Sequence, residues 1–308
     1  MLDTLARVII FFGFIATGAI LARAGRLTRE GLDGLSAYFY WLGFPCWLAV
    51  SFSQLRGFDS NHVVLFAGYL TAMIVAGAVV VTLTLLFKAP RDASAAAGMA
   101  GFINNSAFLG VPITLSLFGR EAAQLGPLVV AVDFLVLFSL GCAAIAKASG
   151  HTFKEALIRT CKNPTVIGAL IGVVLLVLGR RFPPPIETAL DLMGRSGPPV
   201  ALVALGGMLG LMPWRNLARF DPVSAAAIAG KILLAPALVA IVLWALHADP
   251  MTFKVCVFMA ATPTAVSVFI QAKIYNVWYE GAAKTVAQST GFSLVTLSIL
   301  AVVLTHLA

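Results

Sequence analysis

From end to end the chain alternates between apolar runs close to twenty residues long and short breaks carrying charge, proline or glycine. The runs fall at about 5–23, 34–53, 62–87, 94–118 and 125–147, then at about 163–180, 190–211, 222–247, 252–275 and 283–307. Each is near the ~20 residues with which a helix crosses the hydrocarbon core of a bilayer. A backbone inside lipid must satisfy its own hydrogen bonds, which selects helix. The expected fold is an all-α polytopic membrane protein with ten transmembrane helices. Composition agrees: 60% of the 308 residues are hydrophobic and 11% are charged, where soluble domains have roughly 45–50% and about 25%.

Several function classes recede on the same grounds. The net charge of +8 does not point to nucleic acid, because the basic residues are scattered between apolar runs instead of gathered on one face. Cys46, Cys142, Cys161 and Cys256 lack CxxC spacing and read as small apolar residues. His62, His151, His247 and His306 stand at run ends or in loops, and no HExxH occurs, so a membrane enzyme is disfavoured and no metal is expected. The first run reads as a span, since Asp3 interrupts any basic leader.

Lysine and arginine in the breaks set the expected orientation. Thirteen lie on one side, among them Arg23, Arg26, Arg29, Lys88 and Lys284, and six on the other. The richer side should be cytoplasmic, which puts both termini outside. Five spans (1–148) precede the connecting loop 149–162 and five (163–308) follow it. An odd number of spans per repeat inverts the second copy. Faint echoes support duplication: GFPCWLAVSF (Pro45) with SGPPVALVAL (Pro198, Pro199), GVPITLSLFG (Pro112) with ATPTAVSVFI (Pro263), and VVAVDFLVLFSL with VAQSTGFSLVTL, which sets Asp133 opposite Ser289.

The fourth run holds NNSAFLGVP at its centre, with two amides, a glycine and a proline where hydrocarbon would favour none of them. Proline removes a backbone donor and frees a carbonyl, which is costly in lipid unless protein or a cavity satisfies it. Matched interruptions in two inverted halves point to a secondary transporter with its binding site near the midplane.

At these residues the sequence resembles the auxin efflux carrier family, which includes plant auxin exporters and bacterial permeases. The resemblance rests on Asn105, Gly110 and Pro112 in the fourth run, Asn163 and Pro164 opening the sixth, and Pro263, Phe269, Ala272, Lys273, Tyr275 and Asn276 in the ninth. It covers nearly the whole chain, without the long central loop of the larger plant carriers. It implies broken helices 4 and 9 crossing at their prolines, the plan shared with sodium/proton antiporters and bile acid carriers. It further implies a small carboxylate as substrate, a scaffold of spans 1, 2, 6 and 7, a transport unit of spans 3–5 and 8–10 moving as an elevator, and a homodimer.

Asn105 is the foremost substrate-binding candidate, because an amide donates to a carboxylate and a helix N-terminus at the break adds positive charge. Asn104, about 100° away around a helix, is expected to bond freed carbonyls or face the substrate. Gly110 and Pro112 shape the break. Thr262, Pro263, Thr264 and Gln271 are its expected counterparts, with Cys256 where the second half lacks an asparagine. Ionisable residues inside spans are functional suspects. Asp133 is expected to carry a coupling proton, to coordinate a cation, or to pair with Lys231 or a helix end. Gln288, Ser289 and Thr290 lie in the matching region, and Lys231 is expected to snorkel toward water. Arg195, four residues after Asp191, reads as a helical ion pair. No cofactor is expected beyond a coupling proton or sodium ion. A sodium-coupled organic anion symporter of the bile acid carrier type remains open as the alternative; an antiporter would need more intramembrane carboxylates, and a channel would not need two matched breaks.

Overall fold

The structure is a computed structural model and describes residues 2–54, 60–150, 158, 162, 164–213 and 221–306. Lys154, Arg159, Cys161, Asn163 and most of the connecting loop lie outside them, as do His151, Arg56, Arg215 and Arg219. Twelve helices run through the described residues: α1 (Leu2–Arg23), α2 (Arg29–Ser53), α3 (Ser60–Leu86), α4 (Arg91–Phe102), α5 (Ser106–Phe118), α6 (Arg120–Ala131, continuing to Phe138–Ala148), α7 (Pro164–Val177), α8 (Pro184–Gly210), α9 (Pro222–Ala245), α10 (Pro250–Ala260), α11 (Val266–Ile274) and α12 (Tyr279–His306). No strand occurs among the described residues. Five helical stretches are long and apolar enough to cross a membrane: Arg29–Ser53, His62–Leu86, Gln124–Ala148, Pro222–Ala245 and Tyr279–His306. With the shorter apolar helices between them they make this a polytopic membrane protein.

Local chemistry sets the helix ends. Thr28 accepts from the Gly31 amide at the start of α2, and Asp249 from Met251 and Thr252 at the start of α10, satisfying donors that a helix leaves free. Asp221 does the same for α9, its Oδ1 accepting from Ser224 N at 2.9 Å while Oδ2 accepts from Lys284 Nζ of α12 at 2.7 Å. Four helices carry a wider π turn, at Phe39–Gly43, Ser106–Gly110, Val132–Leu137 and Gly230–Leu234.

Packing forms two groups. α1 lies along α8, and α2 lies against α7 and α8; α3 packs on α4 and α9, α4 on α6, α9 and α12, and α11 on α12. Small residues let the first group close tightly: a Cβ on Gly206 would overlap the Ile15 carbonyl, and one on Gly18 the Val203 carbonyl. Such close backbone approach is how helices associate where lipid gives no hydrophobic drive.

The fourth and ninth apolar runs are both broken, and the breaks meet. Between α4 and α5, Ile103 is extended (φ −85°, ψ 117°); between α10 and α11, Ala265 is extended (φ −69°, ψ 146°). Asn105 N donates to Pro263 O at 2.8 Å and Ala265 N to Ile103 O at 3.2 Å, an antiparallel bridge pairing Asn104 with Thr264. Pro263 thus sits at the crossing. Pro112 does not, contrary to expectation: it occupies the start of the regular part of α5, beyond the π turn. The π turn immediately before it shifts the carbonyl register where proline has no N–H to give, so the helix runs on through Pro112 without a break.

Candidate functional site

The crossing brings four half-helix ends together. The ends of α4 and α10 present carbonyls, whereas the starts of α5 and α11 present unpaired amides and the positive ends of their dipoles. Each carbonyl end borrows a donor from elsewhere. Thr264 Oγ1 donates to Ala100 O of α4 at 2.8 Å, and the Lys231 ammonium donates to Ala260 O, the last carbonyl of α10.

Lys231 therefore does not snorkel. It is fully buried, in the π turn of α9, because α3, α4, α10 and α12 surround that turn and close the route to water. An ammonium at a helix C-terminus is favourably placed.

Asn104 and Asn105 separate cleanly. Asn104 Nδ2 donates to Tyr69 Oη at 2.5 Å and to Asp133 Oδ1 and Oδ2 at 3.1 and 3.3 Å, while Tyr69 Oη donates to Asp133 Oδ1 at 3.0 Å. All three are buried. Asn104 thus bonds side chains, not the freed carbonyls the sequence suggested, since the backbone here is extended. Asp133 occupies the π turn of α6; its partners are Ser106, Tyr69 and Asn104, and among the described ion pairs none joins it to Lys231. The side chain of Asn105 is 2% exposed, and its carboxamide oxygen has no partner among the described residues.

Of the other candidates, Ser289 is joined to the crossing, its Oγ accepting from Thr264 N at 3.2 Å. Thr262 and Thr290 turn back on their own helices, to Met259 O and Val286 O. Gln288 is buried beside Ser289. Gln271 is half-buried along α11, with no side-chain hydrogen bond to the crossing among the described residues. Gly110 abuts α10, where a Cβ would meet the Met259 sulfur. Cys256 is buried within α10, well before the break. Arg195 pairs with Asp191 at 2.7 Å, as its spacing predicts.

Two features were missed from sequence. Tyr69 gave no signal, because its partners lie 35 and 64 residues along the chain. An aromatic wall also adjoins the crossing: Phe39 of α2 meets Phe108 of α5 with ring centroids 3.8 Å apart, and Phe44 meets Phe134 of α6 edge-on at 4.9 Å. The wall joins the two packing groups beside Asn105. Chemically, the site offers a buried amide, two helix N-termini and apolar walls, which suits a small anion with little apolar bulk.

Residues 150–301 match a family described as "Membrane transport protein". A Rhizobium meliloti (strain 1021) protein named "Putative malonate transporter" is 26% identical over 307 residues, 97% of this chain and 95% of that protein. "Auxin efflux carrier component 8" of Arabidopsis thaliana is 24% identical over 222 residues, 56% of this chain and 60% of that protein. An "Uncharacterized transporter" of Methanothermobacter thermautotrophicus is 26% identical over 208 residues, 67% of each.

Proposed function

We propose that this chain, a membrane transporter of the auxin efflux carrier family and not an enzyme, carries a small organic anion across the plasma membrane, a carboxylate of malonate-like or auxin-like kind. One observation carries the reading. Two broken helices are tied to each other at their breaks, and the tie leaves the amide of Asn105 buried beside two helix N-termini, whose N–H groups can donate to an anion. Such interruptions are where a secondary transporter binds its cargo.

In this reading the chain crosses the membrane ten times as two inverted five-helix repeats, with both termini outside. Helix ends support the duplication. Left-handed residues follow α1 and α7 (Gly25, Gly179), α3 and α9 (Lys88, His247), and α5 and α11 (Gly119, Asn276), in the same order in each half. The group of α1, α2, α7 and α8 is the scaffold, and α3–α6 with α9–α12 the transport unit, which slides past the aromatic wall as an elevator. Scaffolds pair in a homodimer. Asn105 and the α5 and α11 N-termini hold the carboxylate, and Thr264, its hydroxyl given to Ala100 O, braces the crossing beside them. Asp133, Lys231, Gln288 and Ser289 form the adjoining region that senses a coupling proton or cation.

The sodium-coupled symporter has its own support: buried oxygens of Asn104, Asn105 and Ser267 lack partners among the described residues, and sodium takes such oxygen ligands. The test is electrogenic current and isotope counterflow from reconstituted protein, across a panel of carboxylates with and without sodium. A saturable signal with one acid, abolished in Asn105→Ala at unchanged membrane expression, is expected. Unchanged uptake in that variant removes Asn105 from the site; sodium dependence selects symport; silence in both assays ends the carboxylate assignment.

A further inference from the structure

A well-formed groove lies away from the crossing. It has a volume of about 1090 Å³ and lies between α1 and α12, bordered at one end by Leu209 and Gly210 of α8. On α12 it extends from Ala287 to Val303, about 24 Å at 1.5 Å per residue, most of the ~30 Å of a bilayer's hydrocarbon. Two glycines create it. Gly13 of α1 and Gly291 of α12 both line it, and a Cβ on either would meet nothing within 4 Å.

The lining is apolar apart from Thr290, Ser298 and Arg23, the one charged side chain on it. Its edges, Ile9, Val295 and Ile299, are exposed, so the groove opens outward onto the surface that faces lipid. Water gains little from such walls, and an empty groove forfeits contact on one side. At the end of α1 the Arg23 Nε donates to Gly210 O at 3.3 Å, which fixes the guanidinium at the groove's mouth with four further N–H donors. Arg26 and Arg29 follow within two turns and are exposed.

We infer that this groove is a phospholipid site, with an acyl chain lying along Gly13 and Gly291 and the phosphate held by Arg23, favouring anionic headgroups. Arginine matches phosphate geometry through paired donors. Charge decides against a second copy as occupant. Pairing groove to groove about a two-fold axis along the membrane normal would set the two Arg23 side chains, each lining its groove, inside one interface at one level, like charge against like. The site is separate from the cargo pocket and stands whatever the substrate proves to be.

The test is native mass spectrometry on protein taken from its membrane in polymer nanodiscs, beside Gly13→Leu, Gly291→Leu and Arg23→Gln. Wild type should carry a bound phospholipid, enriched several-fold in phosphatidylglycerol over phosphatidylcholine when both are offered in vesicles. Either leucine, filling open space from a different helix, should remove most of it without lowering the melting midpoint. Arg23→Gln should keep a lipid but lose the headgroup preference. Wild type with no retained phospholipid, or equal retention in both leucine variants, overturns the proposal, and an unaltered preference in Arg23→Gln overturns the phosphate contact. Leucine variants that change oligomeric state while lipid content stays constant would identify a second copy instead.

Discussion

Two adjacent asparagines at one break differ in their settings: Asn104 Nδ2 is bound to Tyr69 and Asp133, whereas no such cluster holds Asn105 among the described residues, and the carboxamide oxygens of both lack a partner there. That difference supports the proposed division, in which the first holds the break and the second meets cargo. Tyr69→Phe leaves the Asp133 carboxylate one donor short, at about 1–3 kcal/mol, which should appear as a lowered melting midpoint in detergent; an unshifted midpoint would mean the hydroxyl is dispensable. Asp133→Asn keeps an acceptor for Tyr69 while deleting the charge, so transport in that variant should change its dependence on pH or cation. An unaltered profile would leave Asp133 as a structural partner only. Sequence exposed the amides and the carboxylate, because polar groups stand out against hydrocarbon. It hid Tyr69, since a tyrosine within an apolar run looks like bulk until its distant partners are known.

At the scale of helices, Asp221 clips α9 to α12 through Lys284. Its surroundings act in opposite directions: partial burial raises the carboxyl pKa, while hydrogen bonds from Lys284 and Ser224 outweigh it and hold the group below its usual value. A depressed folded-state value contributes stability that is present above the unfolded pKa of ~3.9 and is lost as pH falls through the folded one. Wild type should therefore melt above Asp221→Asn at neutral pH, with the gap narrowing in acid below that value; a gap independent of pH would refute the clip. Helix positions were legible because each apolar run matches the length a helix needs. Where the fourth run breaks was not, because proline drew attention to Pro112, whereas the chain leaves helix at Ile103–Asn105, where asparagine side chains compete with the helical backbone. Lys231 was misjudged for a related reason: distance along a span measures access to water only if the span's face is open, and α9's is enclosed.

For the whole molecule, the packing groups meet along α1 and α12 as well as through the aromatic wall, and the proposed elevator motion would have to pass these contacts. Cysteines replacing Phe39 and Phe108, whose rings now touch, should halt transport when bridged by a cleavable bifunctional thiol reagent and release it on reduction. Full activity in the crosslinked protein would rule out relative motion at this contact. The crossing itself has another implication. It is tied by backbone atoms, Asn105 to Pro263 and Ala265 to Ile103, so the frame of the pocket is indifferent to most side chains displayed on it. Descendants of such a fold can rewrite what they carry one residue at a time while the joint between their halves stays intact, which makes cargo a freely editable property of an otherwise fixed machine.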